Sequence, residues 1–161
     1  MRYKKPVNFL PAGTVTSARF SDTPPSFLRH PPRRGRKRQG LIYQARAGAW
    51  LLDRYKPNFK FSPWVIFNGD RWCQPDGLLL DPGEGRIVVT EIKLRHCSEA
   101  WYQLFELYIP VVQALFPGWT IAGCEVCKWY DPAERTPDQP VLRENPADAI
   151  IGKFNVHIYS P

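Results

Sequence analysis

The chain has 161 residues, 43% hydrophobic and 14% aromatic, so it is long enough for one packed domain and too short for two large ones. Its formal net charge is +7, and residues 1–40 carry ten Lys or Arg against a single acid, Asp22. No apolar stretch reaches the roughly 18 residues that span a bilayer, and the polar N-terminus lacks a signal-peptide core. We therefore expect a cytoplasmic protein with no membrane partner.

Residues 1–39 are predicted to form a basic, irregular arm. They contain six prolines and the run RHPPRRGRKRQG, a composition that favours extended or irregular backbone. A cationic segment attracts polyanions, and arginine matches the geometry of phosphate groups. We expect nucleic acid to bind this arm, with a solubilising tail or a localisation signal as the alternatives. The residues predicted to contact nucleic acid are Arg33, Arg34, Arg36, Lys37 and Arg38.

A single α/β domain is predicted over residues 40–161. GLIYQARAGAWLLDRY buries one broad face as a helix from about 41 to 55. Three strands follow, in FKFSPWVIFNGD, RWCQPDGLLL and RIVVTEIKL, and a second helix begins with Ser98 as its N-cap and bends at Pro110. Two more strands, in WTIAGCEVCKWYD and KFNVHIYS, flank a loop over 132–148. The order predicts a central mixed β-sheet of about five strands flanked by helices.

The cysteines and aromatic residues are interpreted as structural. Cys124 and Cys127 alone are close in sequence, and in a strand their side chains point to opposite faces and chelate a metal poorly. His96 is interpreted as a hydrogen-bonded surface histidine in preference to a catalytic one. The six tryptophans are expected in the core, although one or two could stack on bases and the sequence does not select which.

The predicted hairpin QPDGLLLDPGEGRIVVTEIKL carries three charges inside apolar runs. If Asp81 faces Arg86 across the turn, Asp76 faces Glu91, and Lys93 lies on the same face two residues further on. Both faces of the strands are otherwise apolar, which predicts a covered hairpin in which isolated charges are costly. Two opposed carboxylates repel unless a cation lies between them, and oxygen ligands suit Mg²⁺. An ordinary exposed ion pair is the alternative.

Pro75-Asp76, fourteen intervening residues and then Glu91-Ile92-Lys93 resemble the motif of the PD-(D/E)XK nuclease superfamily, which has a restriction-endonuclease-like fold. By element order the resemblance covers residues 40 to 130. It implies Mg²⁺-dependent hydrolysis of phosphodiester bonds in DNA, with Mn²⁺ as a substitute, as in nucleases of phage, mobile elements or repair.

The resemblance also implies roles for individual residues. Asp76, Glu91 and the carbonyl of Ile92 would bind the metal, and Lys93 would lie beside the nucleophilic water. Gln103 is similar to the glutamine that exonuclease-type members place near the active site. The implied catalytic set is therefore Asp76, Glu91, Lys93 and Gln103.

One position departs from the family pattern. Many members carry a glutamate on the first helix as a further metal ligand, whereas this chain has Gln44, which we interpret as an ordinary polar helix position. Gln44 keeps open a non-catalytic nucleic-acid-binding or assembly protein with a degenerate nuclease fold, and an RNA-binding protein is a third hypothesis. The sequence leaves open endo- or exonucleolytic cleavage, one or two metal ions, and a protein partner or homodimer.

Overall fold

The computed structural model of the chain describes residues 14–25, 35–129, 149–151 and 154–159. Within them the chain is an α/β protein whose helices pack on two β-sheets. The helices are α1 (Arg36–Tyr55), α2 (Ser98–Gln103) and α3 (Ile109–Leu115), the last two joined by a π-helical segment, Leu104–Tyr108. The strands are β1 (Ala18–Ser21), β2 (Phe59–Phe61), β3 (Trp64–Phe67), β4 (Arg71–Cys73), β5 (Gly77–Asp81), β6 (Arg86–Arg95), β7 (Thr120–Trp129), β8 (Ala149–Ile151) and β9 (Phe154–Tyr159).

The larger sheet is mixed, as predicted, with the strand order β2-β5-β6-β7-β9-β8. β5 and β6 form an antiparallel hairpin, and β6 and β7 run parallel. The chain passes from β6 to β7 through α2 and α3, because a parallel pair needs a crossover that returns to the same end of the sheet. β6 therefore lies in the interior of the sheet, with a neighbour on each side.

A second sheet, with the strand order β1-β3-β4, was not predicted. The sequence predicts one strand in FKFSPWVIFNGD and one in RWCQPDGLLL, but each segment is divided between the two sheets. The first breaks at Ser62, which has φ 46°, and at Pro63, which has no N–H to donate. The second breaks just before Pro75 and Asp76. The predicted central mixed sheet is therefore present, but the proline breaks send neighbouring segments to a second sheet of three strands that was not predicted.

The described part of the predicted arm contains folded structure. β1 pairs antiparallel with β3, and Phe20 packs against the core. α1 begins at Arg36, before the predicted start near 41, because Arg, Lys and Gln are good helix formers. Residues 1–13 and 26–34, and the predicted loop over 132–148, lie outside the described residues. The boundary between arm and domain at residue 40 stays a prediction.

Each face of the larger sheet covers its own hydrophobic cluster. On one face, α2, the π-helical segment and α3 bury Leu104, Tyr108 and Val112 against side chains of β5 and β6 such as Leu78 and Val89. On the other face α1 packs on the sheet, and its buried side chains meet those of β6 and β7; this second cluster includes Tyr43, Ala47, Leu51, Ile92, Cys124 and Val126. The middle of β6 is therefore covered on both faces, so the charge of Glu91 there is desolvated.

The second helical region differs from its prediction in two details. Ser98 is the first residue of α2 and Cys97 is its N-cap, with no side-chain cap hydrogen bond. The irregularity predicted at Pro110 begins earlier, in the π-helical segment, and Pro110 lies in the first turn of α3. A π-helical turn widens the helix and changes the side of the helix on which the preceding residues lie. Gln103 is one of these residues.

Candidate active site

The β5-β6 hairpin has the register that the sequence predicts. Asp81 pairs with Arg86 at the turn, and the pairing of β5 with β6 ends at Gly77. Asp76 therefore comes immediately before β5, and its charge acts directly on Glu91 of β6. The structure thus brings together the two acids whose proximity the hairpin register predicts.

The carboxylate of Asp76 is buried, and both of its oxygens accept hydrogen bonds. The backbone N–H of Ile92 donates to Oδ2 at 2.7 Å, and the side-chain amide of Gln44 donates to Oδ1. Gly77 follows, and a Cβ at this position would clash with the ring of Phe59. Asp76 is therefore fixed by β6 and α1, which are rigid elements.

Glu91, Lys93 and Gln103 form a line of contacts on the face of β6 that α2 covers. Lys93 Nζ lies 2.7 Å from Glu91 Oε1 and donates a 2.5 Å hydrogen bond to Gln103 Oε1. Glu91 and Gln103 are 5% and 2% exposed, whereas the Lys93 side chain is 20% exposed and reaches solvent. All members of the implied catalytic set, Asp76 included, are in one place, hereafter the hairpin cluster.

The hairpin cluster holds two buried acids and one partly buried cation. Burial, and after it the negative charge of Asp76, raises the pKa of Glu91. Burial also raises the pKa of Asp76, although the Ile92 N–H and the charge of Lys93 oppose this shift. Burial lowers the pKa of Lys93, but the Glu91 carboxylate outweighs it, so the net shift is upward and the lysine stays protonated. The two acids therefore favour a further positive charge.

Glu91 Oε2 fits a divalent cation. The atom is buried and, within the described part of the chain, accepts no hydrogen bond. A buried carboxylate oxygen without a donor is costly, and carboxylate oxygens are preferred ligands of Mg²⁺. In the same described residues no group of three or more His, Cys, Asp or Glu side chains could hold a metal ion. Backbone, water and substrate oxygens would therefore complete the coordination, as is usual for Mg²⁺.

Two residues of the site make contacts that differ from their predicted ones. Ile92, whose carbonyl the resemblance implies as a ligand, contacts Asp76 through its N–H. Gln44, interpreted from the sequence as an ordinary polar helix position, donates to Asp76, so that interpretation is wrong. Long-range contacts of this kind cannot be read from the helical pattern, because the pattern shows only which face of α1 is apolar.

A buried hydrogen bond beside the hairpin cluster was missed. His96 Nδ1 lies 2.7 Å from Glu125 Oε2, and the two residues are 2% and 0% exposed, so the interpretation of His96 as a surface residue is wrong. Glu125 pairs in register with Glu91 across the parallel strands β6 and β7, and its charge adds to the upward pKa shift of Glu91. The available signal was a single acid inside the apolar run TIAGCEVC.

The cysteines are free thiols, as predicted. Cys124 packs in the cluster under α1, whereas Cys127 pairs with Lys93 in the β6-β7 register and lies on the opposite face. Burial, and then the charge of Glu125, raises the pKa of Cys127 to about 12. A thiolate is disfavoured here, which agrees with a structural role.

The basic residues predicted to contact nucleic acid are described only in part. Lys37 and Arg38 are exposed on the first turns of α1, and Arg36 is its first residue. Arg33 and Arg34 lie outside the described residues. Since α1 rises about 1.5 Å per residue, Arg38 lies about 9 Å along the helix from Gln44. The start of α1 is therefore rigidly connected to the hairpin cluster.

Comparisons of the chain with models of protein families, with curated proteins and with solved structures gave no match. Within the parts of the chain that the structure describes, no helix is both long and apolar enough to cross a membrane. The candidate function therefore depends on the chemistry of the hairpin cluster.

Proposed function

We propose that the chain is a magnesium-dependent deoxyribonuclease that hydrolyses phosphodiester bonds at the hairpin cluster. The observation that carries this proposal is Glu91 Oε2, a buried carboxylate oxygen without a hydrogen-bond donor, next to a second buried acid, Asp76. Two such acids against the single cation Lys93 leave a net negative site that binds a divalent ion favourably.

The arrangement of the elements supports membership of the PD-(D/E)XK nuclease superfamily and its restriction-endonuclease-like fold. The hairpin β5-β6 carries the motif, α1 precedes it, and α2 and α3 lead to a parallel strand, β7. The motif residues lie at one end of this hairpin, where the pairing of β5 with β6 stops and Lys93 reaches solvent. A mixed sheet of this kind hosts many functions, so the proposal depends on the site and not on the architecture.

Asp76, Glu91 and the carbonyl of Ile92 would hold the Mg²⁺ ion, and Mn²⁺ would replace it. When bound, this ion would supply Lewis-acid polarisation of the phosphate and lower the pKa of a coordinated water. The residues around the ligands fix their positions. The amide of Gln44 and the N–H of Ile92 hold the two oxygens of Asp76 in place.

Lys93 and Gln103 act on the reacting groups. In hydrolysis the water oxygen bonds to phosphorus, the ester P–O bond breaks, and the leaving oxygen takes a proton. The Lys93 ammonium, which reaches solvent, is placed to orient the water or to stabilise the charge that develops on the phosphate. The Gln103 carbonyl accepts a hydrogen bond from that ammonium and keeps it directed.

DNA is the proposed substrate because the positive charge of the chain is concentrated before residue 40. Lys37 and Arg38 are exposed on α1, whose later turn holds Asp76 through Gln44. Phosphate contacts of this type position a duplex or strand without reading its sequence.

A non-catalytic nucleic-acid-binding protein is the second candidate, and the Gln44 contact favours it. A glutamine at this position donates to Asp76, whereas a glutamate would add a ligand, so the hairpin cluster has one acid fewer than many members of the superfamily. In this alternative the hairpin cluster is a structural ion pair, and divalent ions change neither stability nor activity.

The two candidates are separated by incubating the purified full chain with single-stranded and duplex DNA in Mg²⁺, Mn²⁺ or EDTA. We expect cleavage with either metal ion, none with EDTA, and loss of cleavage in Glu91→Gln and Lys93→Met. Lys56→Met is the control, because Lys56 forms an exposed ion pair with Asp53 at 3.8 Å. The nuclease proposal fails if divalent ions produce no cleavage, or if Glu91→Gln cleaves as fast as the wild type.

A further inference from the structure

Trp129 is the most exposed large hydrophobic residue of the described chain. It is 58% exposed at the end of β7, although the sequence analysis expects the tryptophans in the core. Tryptophan is highly buried on average, because exposing its large apolar ring is unfavourable. An exposed indole at a strand end is therefore a candidate for binding a ligand.

Trp129 is aligned with the hairpin cluster by the parallel register of β6 and β7. Arg95 pairs with Trp129, and Lys93 pairs with Cys127 two residues earlier. Because alternate strand residues share a face, Lys93, Arg95 and Trp129 lie on the same face of the sheet. Two strand residues span about 7 Å, so the Arg95-Trp129 pair lies one step beyond the proposed catalytic lysine.

One cation lies over the indole ring, and a second is its partner in the strand register. Lys128 Nζ lies 4.9 Å from the centroid of the Trp129 ring, and Arg95 and Lys128 are both exposed. Trp129 is 58% exposed even with the Lys128 side chain beside its ring. Aromatic rings beside Lys and Arg are the usual means of holding single-stranded nucleic acid, since bases stack on the ring and phosphates meet the cations.

We propose that Trp129, Arg95 and Lys128 form a stacking platform that binds an unpaired nucleotide of the DNA substrate next to the bond that is cut. The base stacks on Trp129, and the phosphates on either side meet Arg95 and Lys128. The inference rests on the proposed nuclease function and adds a substrate class, single-stranded DNA or an unpaired end. A paired base is stacked on its neighbours and cannot offer its face without being unstacked.

The size of the platform argues against a protein partner. A stable protein–protein interface buries about 800 Å² of each partner, and lysine is depleted in its core. Here one exposed ring lies under Lys128 and pairs in the strand register with Arg95, beside a site proposed to bind phosphate. A small platform with lysine matches a nucleotide.

The test measures binding of a labelled single-stranded DNA oligonucleotide to the full chain in EDTA by fluorescence anisotropy. Trp129→Ala should weaken binding by about 5- to 150-fold, the range for loss of one stacked base. Trp129→Phe should retain most of the affinity, because a ring remains. Trp50→Ala is the matched control, since Trp50 lies on α1, on the opposite face of the sheet, with Arg54 over its ring at 5.6 Å.

Salt dependence separates stacking from charge. Arg95→Gln and Lys128→Gln should each reduce the slope of log affinity against log salt by about 0.7, whereas Trp129→Ala should leave it unchanged. A scan of oligonucleotides with single abasic sites should find one position at which Trp129→Ala causes no further loss. The proposal is overturned if Trp129→Ala binds single strands normally, if it weakens blunt duplex equally, or if RNA binds more tightly than DNA.

All of these measurements omit divalent ions, so they do not depend on cleavage. If the chain never cleaves DNA but the abasic scan locates the stacked base, the platform stands and the nuclease proposal fails. If the chain cleaves with Mg²⁺ but Trp129→Ala binds and cleaves single strands like the wild type, the platform alone is wrong.

Discussion

Removing Lys93 is expected to destabilise the metal-free protein strongly. Above the raised pKa values of Asp76 and Glu91, the variant Lys93→Met keeps two buried charges without the cation that offsets them. Breaking a buried pair by removing one partner costs about 3–5 kcal/mol, because the remaining charge is desolvated and uncompensated. For a domain of this size 1 kcal/mol corresponds to about 2–4 °C, so the melting temperature should fall by about 6–20 °C.

Glu91→Gln is expected to behave in the opposite way. It leaves one acid, Asp76, with one cation, Lys93, and removes the carboxylate whose Oε2 accepts no hydrogen bond in the described structure. The variant should therefore melt no lower than the wild type in EDTA. The double variant Glu91→Gln/Lys93→Met should recover part of the stability lost in Lys93→Met, which a double-mutant cycle measures.

The assay is thermal and urea unfolding in EDTA, followed by titration with Mg²⁺ or Mn²⁺. At an ion concentration ten times its dissociation constant, binding adds about 1.4 kcal/mol, or roughly 3–6 °C, to the wild type and should add nothing to Glu91→Gln. Lys56→Met is the matched control. Lys56 forms an exposed ion pair with Asp53, so this substitution should change the free energy of unfolding by less than about 1 kcal/mol.

The loss of stability in Lys93→Met should also depend on pH. The pKa values of Asp76 and Glu91 are raised in the folded chain, mainly by burial, so the folded state binds protons more readily than the unfolded state. The resulting stability is present at low pH and is lost as the pH rises through the raised values. The stability of Lys93→Met should therefore approach that of the wild type in acid, and the difference between them should be largest above neutrality.

One pattern of results would refute this reasoning. If Glu91→Gln and Lys93→Met lose similar stability, and divalent ions stabilise neither the wild type nor the variants, the hairpin cluster is a structural ion pair. The second candidate function would then account for the site.

Three further predictions concern neighbouring positions. Gln103→Ala should lower the cleavage rate without unfolding the chain, as measured by steady-state kinetics and circular dichroism, because it removes only the acceptor that directs Lys93. Leu104→Ala should cost about 2–5 kcal/mol in urea unfolding, since Leu104 is fully buried, and Trp101→Ala should cost less, since Trp101 is only half-buried. Gln44→Glu should lower metal-free stability and increase the stabilisation by divalent ions in thermal melts, because it replaces a donor to Asp76 with a third acid; unchanged metal dependence would contradict this.

The hairpin register could be predicted from the sequence because a tight turn and alternating apolar residues fix it. The turn closed by Asp81 and Arg86 determines every pair up to Gly77, and this places Asp76 near Glu91 without further information. Gln103 could be assigned only through the resemblance to a family, since its contact with Lys93 depends on how α2 packs on β6.

The division into two sheets could not be predicted from the same patterns. An apolar run indicates a buried strand, but it does not show which sheet the strand joins, and the breaks at Ser62 and Pro75 interrupt runs that otherwise look continuous. The contact between His96 and Glu125 could not be predicted for a related reason. One residue lies in a loop after β6 and the other in β7, and their contact depends on the parallel pairing of these strands.

The pairing of β1 with β3 has a consequence for the basic residues before α1, which the proposed function assigns to DNA binding. Ser21 belongs to a strand of the smaller sheet and Arg36 begins α1, so the chain between them is joined to a folded element at each end. Under the proposed function, the effective concentration of its arginines at a bound phosphate depends on the number of residues between these two elements. If the chain binds DNA as proposed, adding or removing residues between Ser21 and Arg36 would change the affinity without altering any contact in the site.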